Sequence, residues 1–170
     1  MQYEMDNLAS NILELNSDCY DKDGYVNIVE IIKHMGFVVG ESSKLDPLED
    51  GFISVSQDKT DVVIGVNKDR TFSEKRFCAA HELGHYYLHY LNEDLDGTVM
   101  HRESRKGKNQ KENEADFFAA CLLMPYDNFK SKYEAFKELG LPNKVIEQSL
   151  QRIFKVPLES VQRRIEEVQQ

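Results

Sequence analysis

The stretch AAHELGHYYLHY, residues 79–90, constrains this chain more than any other, because it sets His81, Glu82 and His85 in an H-E-x-x-H spacing. On an α-helix, residues i and i+4 are offset by about 40° and stand about 6 Å apart along the axis. His81 and His85 then project from one face, where both imidazoles can meet a single ion at the roughly 2.0–2.1 Å that zinc requires. Glu82 reaches the flank of the same site. Zinc lowers the pKa of bound water to about 7, and a carboxylate within reach can take that proton and later give it to a leaving amine. Ala79, Ala80 and Gly84 are small and leave room for a neighbouring helix or a substrate backbone. The spacing alone is not proof. Paired histidines on a helix are often ordinary residues satisfied by hydrogen bonds, and the motif also arises by chance. His89 continues the series but lies about 12 Å along the axis from His81, too far to share one ion with both others. A structural or supporting role suits it better.

A catalytic zinc needs three protein ligands and one open position. The extended pattern H-E-x-x-H-x-x-G-x-x-H is excluded, because Leu88 and Leu91 occupy its glycine and third-histidine positions. A cysteine ligand, as in peptide deformylases, keeps Cys78 and Cys121 in view, without the surroundings such sites show. The stretch KENEADFFAACLLMP offers a carboxylate instead. Glu112 and Asp116 are again i and i+4, and small alanines beside them would let this helix approach the first. Glu112 is the candidate ligand, and Asp116 the candidate acceptor for the distal N–H of a ligating histidine. Glu114 competes from a position rotated by about 200°. The plainer alternative for both glutamates is a solvated first helical turn, where carboxylates complement the dipole.

Around these motifs the chain reads as α+β: helices, a small antiparallel sheet, then a helical C-terminal third. Helices are expected over 3–16, over YVNIVEIIKHMG with Asn27 as a possible cap and Gly36 closing it, over 72–91, and over the segment ending at Pro125. Three more follow at about 126–138, 142–154 and 158–168. FVV begins a short strand, and GFISVS with DVVIGV forms an antiparallel hairpin. The polar stretch 92–110 is expected to be a long loop, a length that is often functional. The division expected is a core over 1–125 and a helical extension over 126–170, possibly helix-turn-helix-like and packed on that core.

A net charge of −9 supplies no basic surplus for broad nucleic-acid binding and is the wrong sign for an anionic membrane surface. The first residues lack a signal-peptide pattern, and no apolar run approaches the roughly 20 residues that span a bilayer. Three cysteines without a C-x-x-C pair fit reduced thiols. A cytoplasmic protein is expected.

Together, RFCAAHELGHYYLHY and ENEADFFAACLLMP resemble the ImmA/IrrE metallopeptidase family. The resemblance runs over roughly residues 25–165 and includes the preceding IGVNKDRTFSEKRF. It implies a zincin-like domain with one catalytic Zn2+ on His81, His85 and Glu112, and Glu82 as the catalytic residue. It also implies a protein substrate, since members of that family cleave helix-turn-helix transcriptional repressors and so derepress a mobile element or stress regulon. Cys78 departs from the family's frequent Thr but leaves the ligands intact.

Two further candidates lie in the expected loop. His101 and Arg102 could contact substrate or steady an oxyanion, against a plainer reading as solvated loop residues. Near the C-terminus, IFKVPLESVQRRIEEV has a helix-turn-helix cadence, but Glu159, Glu166 and Glu167 dilute Arg163 and Arg164. A packed helical pair is the simpler expectation there. The rival to an enzyme is a zinc-binding module that regulates a repressor by contact alone.

Overall fold

The computed structural model describes the backbone of residues 2–104 and 109–169, and the side chains of residues 4–102 and 109–169. Among the described residues, seven α-helices and a four-stranded sheet make the class α+β, as expected. The helices are α1 (Gln2–Leu15), α2 (Ile28–His34), α3 (Phe72–His85), α4 (Gln110–Leu123), α5 (Tyr126–Glu138), α6 (Asn143–Phe154) and α7 (Leu158–Val168). The strands are β1 (Val38–Ser42), β2 (Glu49–Val55), β3 (Val62–Asn67) and β4 (Val99–Ser104), arranged in the order β1-β3-β2-β4. The chain forms two compact units whose boundary falls within α4: residues 28–119, and the residues up to Asn27 together with Ala120 onward.

In the unit formed by residues 28–119, the expected hairpin is present, with β2 and β3 antiparallel and Ile53 opposite Ile64. The sheet is mixed rather than wholly antiparallel, because β1 runs parallel to β3. The crossover through β2 lets β1 and β3 point the same way, a relation that hairpin spacing cannot reveal. On β2, Gly51, Ile53 and Val55 are buried while their neighbours are half-buried, the period-2 pattern of a strand with one face against helices. That face lies against α3.

The expected loop over 92–110 needs correction. Residues 99–104 form β4, paired antiparallel with β2 so that His101 lies opposite Ile53 and Arg102 opposite Phe52. An edge strand with one covered face carries little apolar signal, and Val99 and Met100 are the only large apolar residues in VMHRES. Residues 105–108 of that stretch lie outside the described residues.

In the other unit, α5, α6 and α7 each begin just after a proline: Pro125, Pro142 and Pro157. Phe129, Leu150, Phe154 and Val161 are fully buried, and the Phe129 and Phe154 rings meet at 5.3 Å. Lys155, in the left-handed region at φ 52°, ends α6 and turns the chain toward α7. Arg164 is fully buried rather than presented at a surface, and Arg163 pairs with Glu159 at 2.7 Å. Among the described residues, no helix is long and apolar enough to cross a membrane.

Candidate metal centre

Helix α3 is started by a reciprocal cap. The Thr71 side chain accepts a hydrogen bond from the Glu74 amide, and the Glu74 carboxylate accepts one from the Thr71 amide at 2.8 Å. The T-x-x-E signature for this box is in the sequence, and it fixes the phase of the helix that carries the histidines. Arg70 anchors the preceding turn through Asp50 and, at 2.6 Å, the Pro47 carbonyl.

His81, Glu82 and His85 are all buried. His81 Nε2 and His85 Nε2 face each other at 3.0 Å. Glu112, near the start of α4, places Oε2 3.2 Å from His81 Nε2 and Oε1 3.5 Å from His85 Nε2. Each of the three residues offers a ligand atom within 4.8 Å of the others. Asp116, one turn further along α4, lies 2.9 Å from His81 Nδ1. With Nδ1–H donating to that carboxylate, His81 presents its Nε2 lone pair to the centre.

Asn109 holds the start of α4 in position, its side chain accepting from the Glu112 amide at 3.1 Å. Glu114, the rival glutamate, faces elsewhere: it accepts from Gln110 at 2.9 Å and lies 3.8 Å from His89. His89 donates to the Lys111 carbonyl at 3.3 Å and so ties the end of the motif helix to the start of α4.

The donor set suits a cation. Two donors on one tetrahedral zinc ion stand about 3.3 Å apart, given bonds of roughly 2.0–2.1 Å. The observed 3.0, 3.2 and 3.5 Å bracket that value. Two imidazole nitrogens facing each other at 3.0 Å also need a proton or a cation between them. Burial lowers the pKa of His85 to about 4 against the upward pull of Glu112, and His81 and His101 add to the depression. His85 is therefore neutral near pH 7, the form that binds metal. Burial pushes Glu112 up, but contacts from His101, His81 and His85 outweigh it and hold the carboxyl well below the usual range.

Gly84 permits the close approach of α3 and α4. A Cβ there would lie 2.9 Å from Phe118 Cδ1 and 3.2 Å from Ala115 Cα. The intrinsic helical gain of Gly84→Ala, up to about 1 kcal/mol, is therefore offset by overpacking of roughly 1–3 kcal/mol. We expect a lower melting temperature together with weaker metal binding, since His81 and Glu112 separate as the helices part. Thermal unfolding and zinc titration of this variant read both effects.

After His85 the helix widens into a π turn over Tyr86–Tyr90, closed by the Leu91 amide bonding to the Tyr86 carbonyl at 2.8 Å. Such turns concentrate at functional sites. Burial raises the pKa of Tyr90, and the charges of Glu82 and Glu112 raise it further, placing this phenol in the field of both carboxylates. A 3.6-residue period gives no hint of Tyr90. His101, expected in a loop as a possible substrate or oxyanion contact, sits on β4 with Nε2 3.0 Å from Glu112 Oε1. Arg102 takes the opposite face of the strand and pairs with Glu49 at 3.0 Å. Cys78 is buried where a Cβ on Gly51 would meet its sulfur, and Cys121 is buried against Arg164 in the other unit.

A mixed sheet backed by a helix bearing paired histidines, with a glutamate from a second helix, defines a metallopeptidase-like domain. The chain belongs to the IrrE N-terminal-like domain family, Peptidase_M78, whose family model matches residues 34–166. No curated protein matches it. Among solved structures it is similar to a Mycobacterium tuberculosis transcriptional regulator, with 17% identity and a TM-score of 0.59. The match covers 94% of this chain but 45% of that one, so the shared fold spans less than half of the regulator.

Proposed function

We propose that this chain is a zinc-dependent endopeptidase that cuts a protein substrate, a helix-turn-helix transcriptional repressor in the cytoplasm. The observation that carries the proposal is Glu82, buried on the same helical turn as His81 and beside the His81–His85–Glu112 set. A purely structural site has no use for such a neighbour. Family membership supports peptidase chemistry, and the repressor substrate rests on the resemblance of the two motif helices. Three buried, unbridged cysteines suit a reducing compartment.

His81, His85 and Glu112 would hold the ion, with Asp116 fixing the His81 tautomer. When bound, zinc would supply Lewis acidity toward the scissile carbonyl and lower the pKa of water. Glu82 takes the proton from the attacking water and delivers it to the leaving amine, so that one carboxylate serves both halves of the hydrolysis. Burial of the whole group keeps competing water away from that transfer.

His81→Ala is expected to lose the metal, read as zinc content after dialysis; full occupancy would contradict the ligand assignment. The substrate assignment is tested by incubating the zinc-loaded chain with a small helix-turn-helix repressor encoded beside it. Mass spectrometry should find two fragments from one cut. An intact repressor that nevertheless binds the zinc-loaded chain would favour a regulator acting by contact.

A further inference from the structure

The two edges of the sheet face different surroundings. β4 carries His101 to the metal centre, whereas β1, at the opposite edge, pairs only with β3 among the described residues. In that parallel pairing the Ser42 carbonyl accepts from the Lys68 amide at 3.1 Å. Main-chain groups of alternate residues point to opposite sides of a strand. Those of Val38, Gly40 and Ser42 therefore turn toward β3, and those of Val39 and Glu41 turn outward. A row of outward N–H and C=O groups is a template for one more strand.

Beside that edge, within residues 28–119, lies an apolar groove of about 260 Å³. Val29 of α2, Val39 and Val66 of the sheet, and Phe72 and Ala79 of α3 wall it. Phe72 is 60% exposed and Val29 37%, so both leave apolar surface to be covered. Glu41 and Lys75 pair at 2.8 Å along the rim, which matches their charges and leaves the groove to an apolar group. Phe72, Lys75 and Ala79 form one stripe of α3, and Ala79 is rotated by about 200° from His81. The groove therefore opens on the far side of the motif helix from the metal centre.

Outward main-chain groups two residues apart require an extended backbone, and the groove beside them takes one large apolar side chain. Together they define strand addition. A second copy of β1 suits the edge badly. Antiparallel pairing centred on Gly40 sets the copy's glutamate against Val39 in the groove, and pairing centred on Glu41 opposes two like charges.

We propose that the outer edge of β1 is a docking site, remote from the reacting bond, for an extended segment of the protein substrate that carries a large apolar side chain. The segment runs antiparallel to β1, exchanges main-chain hydrogen bonds with Val39 and Glu41, and lays that side chain between Val29 and Phe72. Its belonging to the substrate rests on the peptidase reading above; the docking itself does not.

The probe is a capped heptapeptide of threonine with leucine at its centre, titrated into the whole chain while NMR follows the amides of Val39 and Glu41. Those two amides should shift and saturate together. Replacing the leucine by glycine should weaken binding about 10-fold or more, the value of burying that side chain. N-methylation of the leucine amide, which faces Val39, should weaken it by about 2–10-fold. N-methylation of a neighbouring threonine, whose amide faces away, should not. Val29→Glu puts a charge into the groove from the first turn of α2, where an acid suits the helix, and should abolish the preference for leucine over glycine. No shift of the two amides at millimolar peptide overturns the proposal, as does equal binding of the glycine peptide. A chain that sediments as a dimer and is split by the peptide also overturns it, and assigns the edge to a second copy. Against a repressor that the chain cleaves, Val29→Glu should act on KM rather than kcat, raising it about 10-fold. An unchanged KM there overturns the assignment of the segment to the substrate. Absence of cleavage by the unaltered chain would defeat the peptidase reading, while the peptide titration still decides the docking site.

Discussion

In Glu82→Gln, cleavage is expected to fall by at least about 10²–10⁴-fold, the range that positioned proton transfer contributes, while zinc content stays that of the unaltered chain. The substitution is close to isosteric, which matters because the side chain is fully buried. Gly51 of β2 faces it, and a Cβ on Gly51 would lie 3.5 Å from Glu82 Oε1, so little space is available for a different shape. A Gln amide occupies the same volume but cannot accept and return a proton. His81, His85 and Glu112 are untouched, so the metal has no reason to leave. The two readouts therefore separate the roles: metal content reports the ligands, and turnover reports the base. Retained turnover in this variant would remove Glu82 from the mechanism. Loss of zinc along with turnover would show that Glu82 holds the centre together rather than acting within it.

Much of this centre was legible because its parts recur at helical spacing. His81 and His85 could be placed on one face from sequence alone, and Glu112 with Asp116 repeats the same i, i+4 relation on α4. What was not legible came from strands and from irregular helix. β4 is polar, lies at the sheet edge and has one covered face, so neither alternation nor apolar content marks VMHRES as a strand. Sequence alone therefore leaves His101 open between a substrate contact and a solvated loop residue, whereas pairing with β2 turns it inward. The parallel relation of β1 to β3 depends on β3 inserting between β1 and β2, and no local pattern encodes that choice. Tyr90 was hidden by the π turn, whose extra residue shifts every later position around the axis. Thr71 and Glu74 are the opposite case: their capping signature is plain in the sequence and marks where α3 starts.

Arg164→Met is expected to be the most damaging single change outside the metal centre, costing about 3–5 kcal/mol, the range for breaking a buried ion pair from one side. The guanidinium is fully buried and spends its donors on the Met124 carbonyl at 3.1 Å, Glu167 at 2.7 Å and Asp6 at 2.6 Å. It thus joins α1, the end of α4 and α7 through one side chain. Methionine fills much of the same volume, so the loss measures charge and hydrogen bonding more than a cavity. It leaves Asp6 and Glu167 facing a site with no cation. Burial already raises the pKa of Glu167, with Arg164 pulling it down and Asp6 pushing it up. Removing Arg164 takes away the downward pull, so the folded variant binds a proton at Glu167 more readily than its unfolded chain does. Stability then rises as pH falls, and the deficit of the variant should narrow between about pH 7 and about pH 5. Chemical denaturation at both pH values measures this. A triple variant, Arg164→Met with Asp6→Asn and Glu167→Gln, removes the stranded charges together and should recover most of the loss. A deficit that does not change with pH and persists in the triple variant would mean that the packing of the Arg164 stem, and not its charge, holds these helices together.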